Sequence, residues 1–237
     1  MQSMTPEEAA GRSYVARWFW RLPQLAIAVG LDEEATLSLI GAGCAPGPIY
    51  AWHDGWWSAL AACRGAIAPT PPEKAERYYS RSAAWDLRRA ALRIRGGATA
   101  DGAAAANRAD FTRQFLACLP GVPGAEEAFP QCWRDGRLDP ERARIVAEKE
   151  WATWLQGAYG VCLRLFTAQN CIRKEALAAR LKRRLREADP LILLEEARDL
   201  AALILPFAPW ERAQATPGLT IDALLALARL GDDLPYC

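Results

Sequence analysis

Apolar residues recur at three- and four-residue spacings along most of this chain, the period of an amphipathic helix. Thr5-Pro6-Glu7-Glu8 opens the first helix: Thr5 caps it, Pro6 suits its first turn, Glu8 completes a capping box, and the pattern runs to about Trp20. Leu22–Val29 and Asp32–Ile40 read as two short helices split by Gly30 and closed by the turn Gly41–Gly43. His53–Cys63 reads as a tryptophan-rich helix, and a long helix is expected from Glu73 to Arg95, ended by Gly96-Gly97.

Further on, the alanine-rich run Ala103–Ala106 leads into a helix through Cys118, and Ala125–Trp133 gives a short one. A long helix is expected from Asp139 to about Leu165, one capped by Thr167 runs to Ala188, and Pro190–Ile204 and Ile221–Leu230 follow. The pattern contains no alternating stretch of useful length and no internal repeat. The expected fold class is therefore all-α: a small helix-turn-helix-like N-terminal module over residues 1–68, then a multi-helix bundle over 69–237, with the proline-rich residues 66–72 as the boundary.

Composition narrows the classes. The chain has 237 residues, enough for a sizeable core, and is 51% apolar and 24% charged. Its formal net charge of +1 gives no general attraction to nucleic acid or to an anionic membrane. No run of about 18 apolar residues occurs, so no membrane span is expected. The opening MQSMTPEEAAGRSY is polar and acidic, unlike a signal peptide, which makes a cytoplasmic location the expectation. Seven scattered cysteines, an odd number without a CxxC, read as reduced thiols. The ten tryptophans read first as packing residues.

A single histidine, His53, leaves no HExxH motif and no multi-histidine metal site, so neither a metal nor a cofactor is expected. Around it, Tyr50, Trp52, His53, Asp54, Trp56 and Trp57 form either a ligand-stacking pocket, with His53 and Trp56 binding substrate, or a helix start capped by Asp54 and packed by tryptophan. No glycine-rich phosphate loop or GxSxG elbow is present.

The helix pair Leu22–Ile40 has the outline of a DNA reader of the winged-helix, mercury-resistance-regulator type. Phosphate neutralisation needs Lys or Arg, and none occurs between Leu22 and Cys63, where there are four acids: Asp32, Glu33, Glu34 and Asp54. The pair reads as structural, and a nucleic-acid partner is not expected. Two basic stretches, Arg88 to Arg95 and Arg180 to Arg186, lie near helix C-termini, where the dipole favours cations. They read as solvated faces or as a docking patch for an anionic partner such as a carrier protein.

The densest chemistry lies in Tyr159–Leu177, YGVCLRLFTAQNCIRKEAL. Tyr159 and Cys162 are three apart; Cys171, Lys174 and Glu175 fall at i, i+3 and i+4 on the next helix. A helical hairpin would bring these faces together. The candidate catalytic set is Tyr159 as acid, Glu175 as base, Lys174 holding an anionic group, and Cys162 as nucleophile, with Arg164, Asn170 and Arg173 binding substrate. Competing readings make Cys162 a buried small residue and Thr167 with Asn170 a plain helix start. Lys174 and Glu175, one apart, are not expected to pair, and Glu195 or Asp199 is the expected partner of Lys174.

The segment GAYGVCLRLFTAQNCIRKEALAARL resembles the YGVCLR–T–N–RKEAL segment of an uncharacterised bacterial family, a domain of unknown function labelled natural-product biosynthesis proteins. The opening YVARWFWRLPQLAIAVGLDEEATLSLIGAGCAPGPIY and PFAP at 206–209 are also similar to that family. The matching residues are Tyr159, Gly160, Cys162, Arg164, Thr167, Asn170, Lys174 and Glu175; Cys171 stands where the family pattern suggests an aliphatic residue. The resemblance implies a context, specialised-metabolite biosynthesis, more than a mechanism. Together with the residues of 159–175 it makes the expectation a protein that binds a small anionic or carrier-linked intermediate there, where a cofactor-independent acid–base step is the candidate chemistry. A transcriptional regulator and a non-catalytic partner subunit are the alternatives.

Overall fold

A computed structural model describes residues 5–60, 71, 73–185, 190–206, 208, 210 and 225. Helices dominate: α1 (Pro6–Trp18), α2 (Leu22–Val29), α3 (Glu33–Gly41), α4 (Ala83–Arg95), α5 (Ala100–Cys118), α6 (Ala125–Ala128), α7 (Pro140–Leu155), α8 (Ala158–Cys162), α9 (Ala168–Arg184) and α10 (Pro190–Leu203). No helix among the described residues is long and apolar enough to cross a membrane.

The all-α expectation is overturned by two sheets. Strands β1 (Phe19–Trp20), β2 (Tyr50–Trp52), β3 (Trp56–Ser58) and β4 (Glu76–Ser80) form an antiparallel sheet in the order β1-β4-β2-β3, and β5 (Trp133–Arg134) pairs with β6 (Arg137–Leu138). The expected helix from His53 is instead a β2–β3 hairpin. Its turn, His53-Asp54-Gly55, puts Asp54 at φ 54° and Gly55 at φ 159°, a backbone no helix tolerates. Asp54 is thus a turn residue and caps no helix. The expected helix from Glu73 begins as β4, whose aromatic pair Tyr78-Tyr79 favours a strand, and turns helical only at Ala83. The expected helix from Asp139 stops at Leu155, because Gly157 takes the left-handed conformation at φ 88°.

Other expectations match in outline. Thr5, Asp32 and Thr167 each accept a backbone N–H at a helix start. Gly30 closes α2 at φ 76°, and its N–H donates to the Ala26 carbonyl. The expected helix Ile221–Leu230 apart from Leu225, residues 66–70 and 72 of the proposed boundary, Cys63, Cys237 and Arg186 lie outside the described residues.

One core takes Leu25, Val29 and Leu39 from α2 and α3 together with Leu87, Phe111, Phe115, Trp154, Ile172 and Leu181. It therefore runs across the 68/69 division. A second, aromatic core of Tyr14, Phe19, Tyr50 and Tyr78 lies on one face of the sheet beneath α1. Helix α8, whose Val161 joins this second core, meets Ile49 and Ser80 at a close approach. A Cβ at Gly160 would lie 2.4 Å from Ile49 Cδ1, so only glycine lets sheet and helix touch there.

Candidate functional site

Three helices converge on Tyr159. Helix α7, capped by Asp139 with Pro140 in its first turn, buries Ala143, Val146, Ala147, Trp151 and Trp154. Glu150 falls on that same stripe, one turn from Ala147 and from Trp154. After the Gly157 turn, α8 carries Tyr159, only 4% exposed. Helix α9 then presents Cys171, Lys174 and Glu175 on the face toward it.

The Tyr159 hydroxyl donates to Glu150 Oε2 at 2.5 Å and lies 3.2 Å from Glu175 Oε1. Lys174 Nζ bonds Glu175 Oε1 at 2.7 Å and stands 5.7 Å from the centre of the Tyr159 ring. Two carboxylates, a phenol and an ammonium thus form one connected network. The hairpin does bring Tyr159, Lys174 and Glu175 together. The pairing of Lys174 corrects the expectation: with Glu175 turned toward Tyr159, the flexible lysine stem reaches its chain neighbour rather than Glu195 or Asp199.

The electrostatics follow from burial. Desolvation pushes Glu150 up, and the nearby Glu175 charge adds to it against the opposing Tyr159 hydrogen bond. Tyr159 is pushed far above an ordinary phenol by burial first, and then by Cys171 and the two carboxylates. It holds its proton at neutral pH. Burial alone would lower the Lys174 ammonium, but Cys162 and Glu175 outweigh it and the net shift is upward, so Lys174 stays charged. Cys171 is fully buried and pushed well up by desolvation, so it packs like an aliphatic residue. Cys162 is part-buried, and its thiol faces the carbonyls of Ala158 and Tyr159.

The other candidates separate from this network. Arg164 Nε donates to the Ile204 carbonyl at 3.0 Å and its guanidinium sits 5.0 Å from the Trp18 ring, so it ties α10 and α1 to the α8–α9 link. Asn170 Nδ2 donates to the Leu165 carbonyl at the start of α9. Arg173 is exposed, with no hydrogen bond or ion pair among the described residues. His53 stands at the β2–β3 turn, its Nδ1 3.3 Å from Asp54 Oδ2. Trp56 stacks on Trp210 at 4.3 Å, flanked by Trp52 and Tyr78. His53 and Trp56 therefore belong to the sheet and do not join the Tyr159 network.

Sequence reading missed the half-buried Glu150, and with it a fully buried carboxyl, Asp86. Asp86 is 4% exposed on α4 and accepts from Trp154 Nε1 at 3.1 Å. Burial pushes it up to about 7, against the opposing Trp154 hydrogen bond and the Arg89 and Arg93 charges. A carboxylate in register with an apolar helical stripe was the available signal in both cases. Trp154 also stacks on Phe166 at 4.4 Å, and the Phe166 ring lies 5.4 Å from that of Tyr159, so one aromatic wall separates the two acids. Among the described residues no group of His, Cys, Asp and Glu is arranged to hold a metal ion.

No curated protein and no solved structure matches this chain. The model of a family of unknown function, DUF6058, matches residues 108–228, just over half of the chain. That span takes in the β5–β6 pair, Glu150, Tyr159, Lys174 and Glu175, while the four-stranded sheet and Asp86 precede it. The chain belongs to this family of unknown function, DUF6058.

Proposed function

We propose that this is a cytoplasmic protein of natural-product biosynthesis, which binds a small anionic or carrier-linked intermediate beside the α7–α9 network and moves one proton there without a cofactor. The observation that carries the reading is the pairing of Glu150 and Glu175 across the Tyr159 hydroxyl. Like charges this close raise the cost of double ionisation. Burial pushes the Glu150 carboxyl up, and Glu175 is held by the Lys174 ammonium.

A carboxyl raised from its ordinary value exchanges protons more readily near neutrality. Glu150 gives or takes the proton, Tyr159 holds the Glu150 oxygen in place, and Lys174–Glu175 fixes the local field. The roles thus pass from Tyr159 and Glu175 to Glu150. Arg173, exposed and unpaired beside Lys174, and Lys149 beside Glu150 supply cations for an anionic ligand.

The test is deletion of the gene in its host, with metabolite profiles compared by mass spectrometry and complementation by wild type, Glu150→Gln, Lys174→Ala and Glu175→Ala. Loss of one compound with build-up of its precursor, restored by wild type and not by Glu150→Gln, is the expected result. Restoration by all three variants would leave a non-catalytic partner subunit. Broad transcript changes without a precursor would favour a regulator, against which the acidic start of α3 and its lack of basic residues already weigh.

A further inference from the structure

A groove of about 350 Å³ opens on the sheet face away from α1, walled by Leu37 and Ile40 of α3, Trp57, Tyr79 and the α7–α8 turn at Gly157. Strand register explains it. Trp57, Ala51 and Arg77 are direct cross-strand neighbours, so they stand in one row on one face. The middle residue is the smallest, and the row sags between an indole and a guanidinium. A second lobe of about 260 Å³ shares Leu37, Arg77 and Tyr79 with the first and extends toward Leu22. Arg77 therefore stands where the two lobes meet, the first walled mainly by apolar residues and the second bordered by the Arg21–Glu76 ion pair.

The state of Arg77 points to the ligand. Its strand neighbour Glu76 reaches the rim of the second lobe, where Arg12, Arg21 and the Tyr78 hydroxyl already engage its carboxylate. No carboxylate pairs with the Arg77 side chain among the described residues, although that side chain is half-buried. Its charge is felt within the groove, where it works against the upward push of burial on the Tyr79 hydroxyl. A half-buried guanidinium without an anion, set among apolar walls, is complementary to one carboxylate carrying an apolar body. The volume lies in the range of small-molecule sites.

We infer that this groove binds a small amphipathic monocarboxylate, with the carboxylate on Arg77 and the apolar body between Trp57 and Leu37. The site is separate from the Glu150 network and stands or falls apart from the acid–base reading.

The test is calorimetric titration of the full chain with octanoate, and with octanol as the uncharged counterpart. Wild type is expected to bind octanoate, with octanol and Arg77→Gln each weaker by about tenfold or more, as for loss of a charge-assisted contact. Leu37→Glu alters an exposed position and places a like charge in the groove, so it is expected to abolish binding while the thermal midpoint stays unchanged. Glu150→Gln is expected to bind as wild type does. Absence of octanoate binding to wild type, equal affinity for octanol, or an undiminished affinity in folded Arg77→Gln would each overturn the inference.

Discussion

Asp86 and Glu150 are the same chemical device in two settings. Each is a carboxyl on the buried stripe of a helix, each is pushed up by desolvation, and they flank one aromatic wall. Asp86 is closed in: its side chain accepts from the Trp154 indole, and its own backbone carbonyl accepts from Asn107 Nδ2 at 3.0 Å. The nearby cations Arg89 and Arg93 are engaged by Asp110, and Arg93 also by Asn107. Glu150 instead faces groups that can themselves change: a phenol, a second carboxylate and, through it, a part-exposed ammonium. Burial makes a carboxyl unusual in both places. Only at Glu150 is the unusual carboxyl joined to a network that reaches solvent.

The comparison is broken most forcefully by pH. Asp86 titrates near 3.8 when unfolded and at about 7 when folded. The raised folded value means that the stabilisation is complete below 3.8, is lost as pH rises through the window to about 7, and does not change above it. One proton gives a slope of about 1.4 kcal/mol per pH unit, on the order of 4 kcal/mol across the window. Urea denaturation of wild type and Asp86→Asn at successive pH values isolates it, since Asn accepts from Trp154 and does not titrate. Glu150→Gln is expected to remove a shallower slope of the same sign. A larger slope at Glu150 would reverse the ranking of the two sites.

Truncation comes next. Asp86→Ala leaves the buried Trp154 N–H unpaired and opens a void, at a cost of about 2–3 kcal/mol at neutral pH. Glu150→Ala removes a half-buried carboxyl and relieves Glu175 of a like-charge neighbour, so it is expected to cost about 1 kcal/mol or less, while abolishing the metabolic complementation described above. Chemical denaturation of both variants, set beside the complementation result, separates an acid kept for structure from one kept for chemistry.

Gly160→Ala acts on one side only. Its Cβ would meet Ile49 Cδ1 at 2.4 Å, so the sheet and α8 must move apart, at about 1–3 kcal/mol. Tyr159 is the next residue, and the hydroxyl bridge between the acids is expected to loosen while the Asp86–Trp154 bond persists. The checks are a lowered denaturation midpoint and a pH slope that Asp86→Asn still removes in the Gly160→Ala background.

How far the sequence revealed these sites depended on range. Capping at Thr5, Asp32 and Thr167 is local, and the helix starts were legible from it. The spacing of Cys171, Lys174 and Glu175 placed them on one face, and the face does meet Tyr159. The sheet was lost because its strands are two to five residues long and too short to show alternation. Its one local mark, the Asp54-Gly55 pair between aromatic runs, is a hairpin signal that a helical reading absorbed. Glu150 and Asp86 were hidden differently. Charged residues on a helix are ordinarily assigned to its wet side, yet both sit in phase with the apolar stripe: Asp86 with Ala83, Leu87 and Ala90, and Glu150 with Val146, Ala147 and Trp154. Phase was visible in the sequence, whereas the partners that make the positions tenable, Trp154 and Tyr159, come from other elements.

The smallest effect sharpens the contrast from the solvent side. Arg173 is exposed and makes no ion pair among the described residues, so Arg173→Ala is expected to change stability by less than about 0.5 kcal/mol at any pH between 4 and 8. Removing a stabilising cation from a folded network would show as a midpoint shift; removing a cation held in reserve for an anion would not. Complementation by Arg173→Ala is expected to yield product at a reduced rate, with accumulation of precursor intermediate between wild type and Glu150→Gln. A stability loss like that of Asp86→Ala would make Arg173 part of the scaffold. Unchanged product with unchanged stability would remove it from the site and leave Lys149 as the cation beside Glu150, because its charge already acts on that carboxyl.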